Sequence, residues 1–290
     1  MAGLKELRIR IGSVKSTRQI TSAMKMVAAA KLKGAQDRIT GFRPYAEYIS
    51  RIASSLTDPF DEKRISPYML PNKSNAVLIV LFTSNRGLCG GFNNNMVKKT
   101  IEFVEHKYAD AIAEKRLRFF CIGKKGVELI KRRGFAVERS NFSLYDHINF
   151  GSATALSDEL MQQFVSNQYG TVILAYNRFK NAGVQIQTIE QMLPVLPPEN
   201  RKRPADYIFE PDAATLLNEV IPKTIRIQFY KALLDTNAAE QGARMTAMHQ
   251  ATDNATELIK ELTLQYNKAR QAAITNEILE ITSGAEALKS

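Results

Sequence analysis

Alternating steps of three and four residues from Leu4 reach Leu7, Ile11, Val14, Arg18, Thr21, Lys25, Ala28, Leu32, Ala35, Ile39, Phe42, Ala46, Ile49, Ala53 and Leu56, and 13 of these 16 positions are apolar. That spacing is the narrow seam of a coiled coil, not the broad stripe of a helix lying on a globule. At Arg18, Thr21 and Lys25 the seam lapses, and apolar residues sit instead at Ile20, Met24 and Val27. Either the seam rotates there or the helix meets something else. Gly41 and Pro44 are expected to bend this helix, since proline lacks a backbone donor and clashes one turn back.

The other end of the chain repeats the pattern. Met245, Met248, Thr252, Ala255, Ile259, Leu262, Tyr266, Ala269 and Ala273 follow the same step, and the stripe then shifts to Ile274, Ile278, Ile281, Ala285 and Leu288. Pro222 is expected to end a short first helix. About 66 helical residues from Lys223 onward span roughly 100 Å, too long to wrap a chain of 290 residues. Each seam needs a partner helix, and the simplest partner is the other end of the chain in antiparallel array. A parallel homodimer is the alternative.

The middle alternates strand and helix. Ala76–Thr83, Leu117–Ile122 and Thr171–Tyr176 read as strands, with Val184–Met192 as an edge strand after the turn 180–183. Helices are expected from an Asn93 cap to about Glu114, over Lys124–Arg133 and over Ala153–Asn167. This βαβ order implies a Rossmann-like α/β domain with a mostly parallel sheet covered by helices. The segments are therefore an N-terminal coiled-coil helix over 1–57, a linker over 58–75, a central α/β domain over 76–193, a proline-rich linker over 194–211 and a C-terminal coiled-coil helix over 212–290. The fold class is α/β with a long antiparallel coiled coil.

Charge changes the picture only at one end. The net charge is +11, yet residues 1–57 hold 11 Lys/Arg against 3 Asp/Glu. Such a segment suggests an anionic partner, either nucleic acid, an anionic membrane face or an acidic protein surface. Only Phe42, Tyr45 and Tyr48 interleave with these charges, few for base stacking. A basic coiled-coil nucleic-acid-binding protein is thus the weaker alternative. No apolar run reaches 18 residues, and the start Met-Ala-Gly-Leu-Lys lacks the core and cleavage site of a signal peptide. A soluble chain that is not exported is expected.

Candidate chemistry is sparse. Ser84-Asn-Arg-Gly-Leu-Cys-Gly-Gly-Phe-Asn93 is a glycine-rich loop between strand and helix, where phosphate can bind. Its glycines, Gly87, Gly90 and Gly91, do not form G-x-G-x-x-G, and no Lys-Ser/Thr follows. The loop, Arg86 included, reads as a tight backbone crossing. Cys89 has no neighbouring histidine and reads as a structural thiol. Cys121 falls in a strand. His106, His147 and His249 lie far apart, so no metal site is expected. Lys124-Lys125 and Lys131-Arg-Arg133 form a basic knot that reads as a solvated helix face. No catalytic constellation and no cofactor is expected.

Several stretches together resemble a family. They are Met1-Ala-Gly-Leu-Lys-Glu-Leu-Arg-Ile-Arg-Ile11, Ile20-Thr-Ser-Ala-Met-Lys-Met-Val-Ala-Ala-Ala-Lys-Leu32, Arg86-Gly-Leu-Cys-Gly-Gly-Phe-Asn93, Tyr207-Ile-Phe-Glu-Pro-Asp212, Arg244-Met-Thr-Ala-Met-His-Gln-Ala-Thr-Asp-Asn254 and Ile274-Thr-Asn-Glu-Ile-Leu-Glu-Ile-Thr-Ser-Gly-Ala-Glu-Ala287. In this order they are similar to the gamma subunits of F-type (F1Fo) ATP synthases.

The resemblance implies a non-catalytic central-stalk rotor subunit of a proton-transporting two-sector ATPase. One copy would stand within a ring of alpha and beta subunits, with its middle domain on the membrane c ring beside epsilon. It implies that Met24, Lys25, Arg244, Gln271, Thr275 and Glu277 face the alpha/beta ring, and that Tyr207 and Glu210 face the c ring and epsilon. It implies a peripheral place on the cytoplasmic face of a bacterial plasma membrane, with no nucleic acid. The basic first helix would then turn among acidic loops, held by weak long-range attraction, because strong bonding at one angle would brake it. Chloroplast relatives carry an inserted cysteine pair. This chain has only Cys89 and Cys121, and no redox switch is expected.

Overall fold

The computed structural model describes residues 3–56, 66–196, 210 and 212–287. Helix α1 runs Leu4–Leu56. A strand β1 follows at Val77–Phe82, then α2 at Phe92–Lys107, α3 at Ala109–Ala113, β2 at Leu117–Ile122, α4 at Lys124–Arg132, β3 at Val137–Asn141, a 3-10 turn at Ser143–Tyr145, α5 at Phe150–Val165, β4 at Thr171–Asn181, β5 at Val184–Leu193 and α6 at Ala213–Ala287. The sheet order is β3-β2-β1-β4-β5, parallel throughout except for the β4–β5 pair. No helix among the described residues is long and apolar enough to cross a membrane.

The chain forms two compact units, residues 1–28 with 245–290, and residues 29–244. These cut across the segment boundaries read from the sequence, because both long helices contribute to each unit.

In the larger unit the strands alternate their side chains between two cores. Ile79, Leu81, Phe119 and Cys121 pack on α2 and α4 through Met96, Val97, Ile101 and Ile130. Leu78, Val80, Phe82 and Leu174 face α5, α1 and α6 through Leu160, Phe164, Leu56, Ile221, Ile225 and Phe229. The central strand β1 is buried on both faces, which is why it reads as an unbroken apolar run. Along the helix pair of this unit, Ala46, Ile49 and Ile227 cluster, and the Phe42 ring meets Tyr230 edge-on at 5.0 Å.

In the smaller unit Leu7 and Ala28 of α1 and Met248, Ala255 and Leu262 of α6 are buried. The Thr21 and Thr252 hydroxyls lie 2.9 Å apart, each also within reach of its own helix at Arg18 O and Met248 O. Every buried residue of α1 is a seam position. The seam therefore does not rotate at the lapse. Two threonines share a hydrogen bond in the place of two apolar side chains.

Three expectations need correction. Helix α6 continues past Pro222 without a break, because Leu217, Ile221 and Ile225 on its inner face are buried in the core and outweigh the one missing backbone donor. Helix α2 is capped by Gly91, not Asn93, and stops at Lys107, with Tyr108 at φ −130° before α3. The sequence pattern predicts no strand where β3 lies. It is an edge strand with alternating half-exposure and carries Glu138, Arg139 and Ser140.

Candidate functional site: the crossing loop and the outer helix faces

The loop after β1 is built by its own polar side chains. Asn93 lies inside the first turn of α2, where its Oδ1 accepts from Ser84 N at 2.9 Å and its Nδ2 donates to Ser84 Oγ at 2.8 Å. Its Nδ2 also reaches Cys89 Sγ at 3.3 Å. Ser84 Oγ in turn donates to Arg86 O at 2.7 Å, and Asn85 Nδ2 to Phe142 O at 2.8 Å. Leu88 and Gly90 both adopt positive φ, at 63° and 59°. This double left-handed turn leaves Leu88 exposed.

Arg244 closes the loop from α6. Its guanidinium donates to Gly87 O, to Arg86 O at 3.2 Å and to Glu240 Oε1 at 2.6 Å. Glu240 is buried, and burial raises its carboxyl above the usual range while the Arg244 hydrogen bond and charge pull it back. The glycine-rich loop thus spends two of its carbonyls on this chain's own arginine, which is what Arg244 is seen to do here.

Burial pushes the Cys121 thiol up to about 12 and raises that of Cys89, the latter opposed by the Ser84 hydrogen bond. A raised pKa keeps both thiols protonated through neutral pH, and the thiolate is the nucleophile. Neither cysteine of the folded chain is expected to react with Ellman's reagent at pH 8, and both should react once urea unfolds it. A thiol titrating at the free-cysteine rate before unfolding would contradict this.

The other residues singled out in the sequence lie on outer surfaces. Met24 and Lys25 are half-buried, beside the exposed Ile20, Met26 and Val27. Gln271, Thr275 and Glu277 are exposed on α6, with Thr275 Oγ1 donating to Gln271 O at 2.9 Å. Around them Ile274, Ile278, Leu279 and Ile281 are exposed as well. Glu210 is exposed, and Tyr207 lies outside the described residues. The structure gathers Arg86, Gly87 and Arg244 at one place, and Gln271, Thr275 and Glu277 on one stretch of helix.

Sequence reasoning missed Arg43, Asp235 and Glu240. The available signal was a carboxylate inside an apolar helix run, Ala232-Leu-Leu-Asp235, followed by Ala238-Ala-Glu240. Charges at such positions are buried only when paired.

The family model for ATP synthase matches residues 3–288. The ATP synthase gamma chain of Christiangramia forsetii is 47% identical, with 99% of each chain covered. The chain belongs to the ATP synthase gamma chain family. The gamma chain of Flavobacterium johnsoniae is 48% identical, also over 99% of each chain. A chain of the Tetrahymena thermophila mitochondrial ATP synthase central stalk and c-ring is 27% identical with a TM-score of 0.60, covering 80% of this chain and 99% of that one. A chain of the Euglena gracilis mitochondrial ATP synthase rotor, 20% identical with a TM-score of 0.68, shares the fold over 93% of this chain and 98% of its own. Two long terminal helices with a mostly parallel sheet are thus the gamma chain architecture.

Proposed function

We propose that the chain is the central-stalk rotor subunit of a proton-translocating ATP synthase and carries torque between the membrane c ring and the alpha/beta catalytic ring without catalysing a reaction itself. The observation that carries this reading is the apolar surface that the terminal helices leave uncovered. Leu7, Ala28, Met248, Ala255 and Leu262 are buried on the seam, yet Ile20, Met26 and Val27 are exposed, and so are Ile274, Ile278, Leu279 and Ile281 on a stretch of α6 that is exposed on every side. Helices of a free-standing monomer rarely display such a row of large apolar residues, and a surrounding partner accounts for it.

On this reading Met24, Lys25, Arg244, Gln271, Thr275 and Glu277 face the alpha/beta ring, Arg244 from beside the loop it holds. Tyr207 and Glu210 touch the c ring and epsilon. The chain is peripheral on the cytoplasmic face of a bacterial plasma membrane, at one copy per complex. The excess of cations on residues 1–57 attracts acidic loops at long range, and it weakens with salt.

Affinity capture of the tagged chain from a detergent extract of its own cells is expected to bring down alpha, beta, epsilon and c subunits, identified by mass spectrometry. Capture of the chain alone, or with nucleic acid, would overturn the proposal.

A further inference from the structure

In open α/β sheets a diffusible ligand binds outside the carboxyl ends of the strands, where strand order reverses. Here the order β3-β2-β1-β4-β5 reverses between β1 and β4. That crevice is filled by α6. Asp235, with no exposed side-chain surface, accepts from Phe179 N at 3.1 Å and from Arg43 Nη2 at 2.7 Å through one oxygen, Oδ1. The same Arg43 nitrogen donates to Phe179 O at 2.6 Å.

Phe179 lies in β4 beyond the last residue paired with β1, since Leu81 faces Ala175. Its N–H and C=O would be left unpaired at that point. An aspartate from α6 and an arginine from α1 take the place of the strand that has ended. Two further contacts lie along the same helix. Arg244, oriented by Glu240, holds the carbonyls of Arg86 and Gly87 after β1. Gly242 brings the α6 backbone so close to the β4–β5 turn that a Cβ there would stand 3.2 Å from Ala182 Cα.

Apolar contact between helix and sheet is non-directional, and apolar surfaces can slide. Burying charges costs desolvation, and packed apolar residues often give equal or better stability. What the buried Asp235 and its half-buried partner Arg43 add is direction, because they fix one angle and one register between the helices and the strand ends. Resting on the torque-carrying reading above, we infer that Asp235 and Arg43, joined through Phe179 and backed by Arg244, are positioning residues. They lock the α/β domain against rotation on the helix segments of the same unit, so the crevice of this Rossmann-like domain is a mechanical joint.

The test uses the complete ATP synthase in liposomes, with proton pumping and ATP hydrolysis measured on the same preparation. With the unaltered chain both activities are expected, and their absence would count against the torque-carrying reading itself. Asp235→Ala is expected to keep ATP hydrolysis per assembled complex and to lose most proton pumping. A merely stabilising role would lower both together, in step with the amount of assembled complex. Should Asp235→Ala fail to assemble, Asp235→Asn and Arg43→Lys keep the size of the joint. Each is expected to lower the ratio of pumping to hydrolysis, Asp235→Asn because the charge that holds Arg43 is lost, and Arg43→Lys because the shorter side chain sets its nitrogen back from Asp235 and Phe179. An unchanged ratio in the assembled variants, with normal hydrolysis, would overturn the joint while leaving the rotor reading intact.

Discussion

Gly123→Ala is expected to cost the α/β domain on the order of 4 kcal/mol or more, a large share of the stability such domains possess. Strand β2 ends at Ile122 and α4 begins at Lys124, so the chain turns within this one residue, at φ 108° and ψ 141°. L-residues rarely adopt that backbone conformation. A Cβ would also stand 2.2 Å from Thr83 O and 2.8 Å from Thr83 Oγ1. Thr83 cannot withdraw. It is buried, its N donates to Ile122 O at 2.8 Å, and its hydroxyl oxygen accepts from Gly126 N at 2.9 Å. Gly123 N is itself held by Asn141 O at 3.0 Å. Gly134→Ala is the control. It too has positive φ, at 81°, but meets open space, so only backbone strain of about 1–2 kcal/mol applies. Urea melts of the two variants beside the parent chain measure the difference. Equal midpoints for Gly123→Ala and Gly134→Ala would show that the contact between Thr83 after β1 and Gly123 after β2 is not rigid.

What could be read from the sequence follows from where each signal resides. The helix seams were legible because burial between two helices repeats every few residues, and no tertiary information is needed to see it. Strand β1 was legible because burial on both faces leaves six apolar residues in a row. Pro222 misled because propensity is local, whereas the burial of Ile221 and Ile225 that keeps α6 continuous comes from distant elements. Asn93 misled for a similar reason. Its residue type suits a cap, but its amide is committed to Ser84 and Cys89 across the loop. The lapse at Thr21 showed as a defect, although its partner Thr252 stands as the single polar member of the other seam. The joint at Asp235 was not read at all, since Arg43 and Phe179 lie 192 and 56 residues away in the chain and no spacing rule connects them.

Leu262→Asp is expected to open the terminal helix pair, while Ile278→Asp with Ile281→Asp leaves the free chain as it was. Leu262 is almost fully buried on the seam, and α1 supplies the opposing side chains of that unit. Removing its apolar area forfeits about 1.5–3 kcal/mol. Placing an ionised carboxylate in the seam adds a further cost, which the helix ends can escape only by separating. Amide hydrogen exchange in the segments Leu7–Val14 and Ile259–Tyr266 is therefore expected to rise by at least about a hundredfold, with the exchange of β1 unchanged. Unaltered protection there would mean that the seam does not hold these ends together. Ile278 and Ile281 are exposed, and surface substitutions of that kind usually move stability by no more than about 0.5 kcal/mol. If a sleeve of partner subunits covers them, the double substitution leaves the melt of the isolated chain in place and abolishes capture of alpha and beta subunits. If capture survives two buried aspartates, the apolar face of this helix end is not where the partners bind.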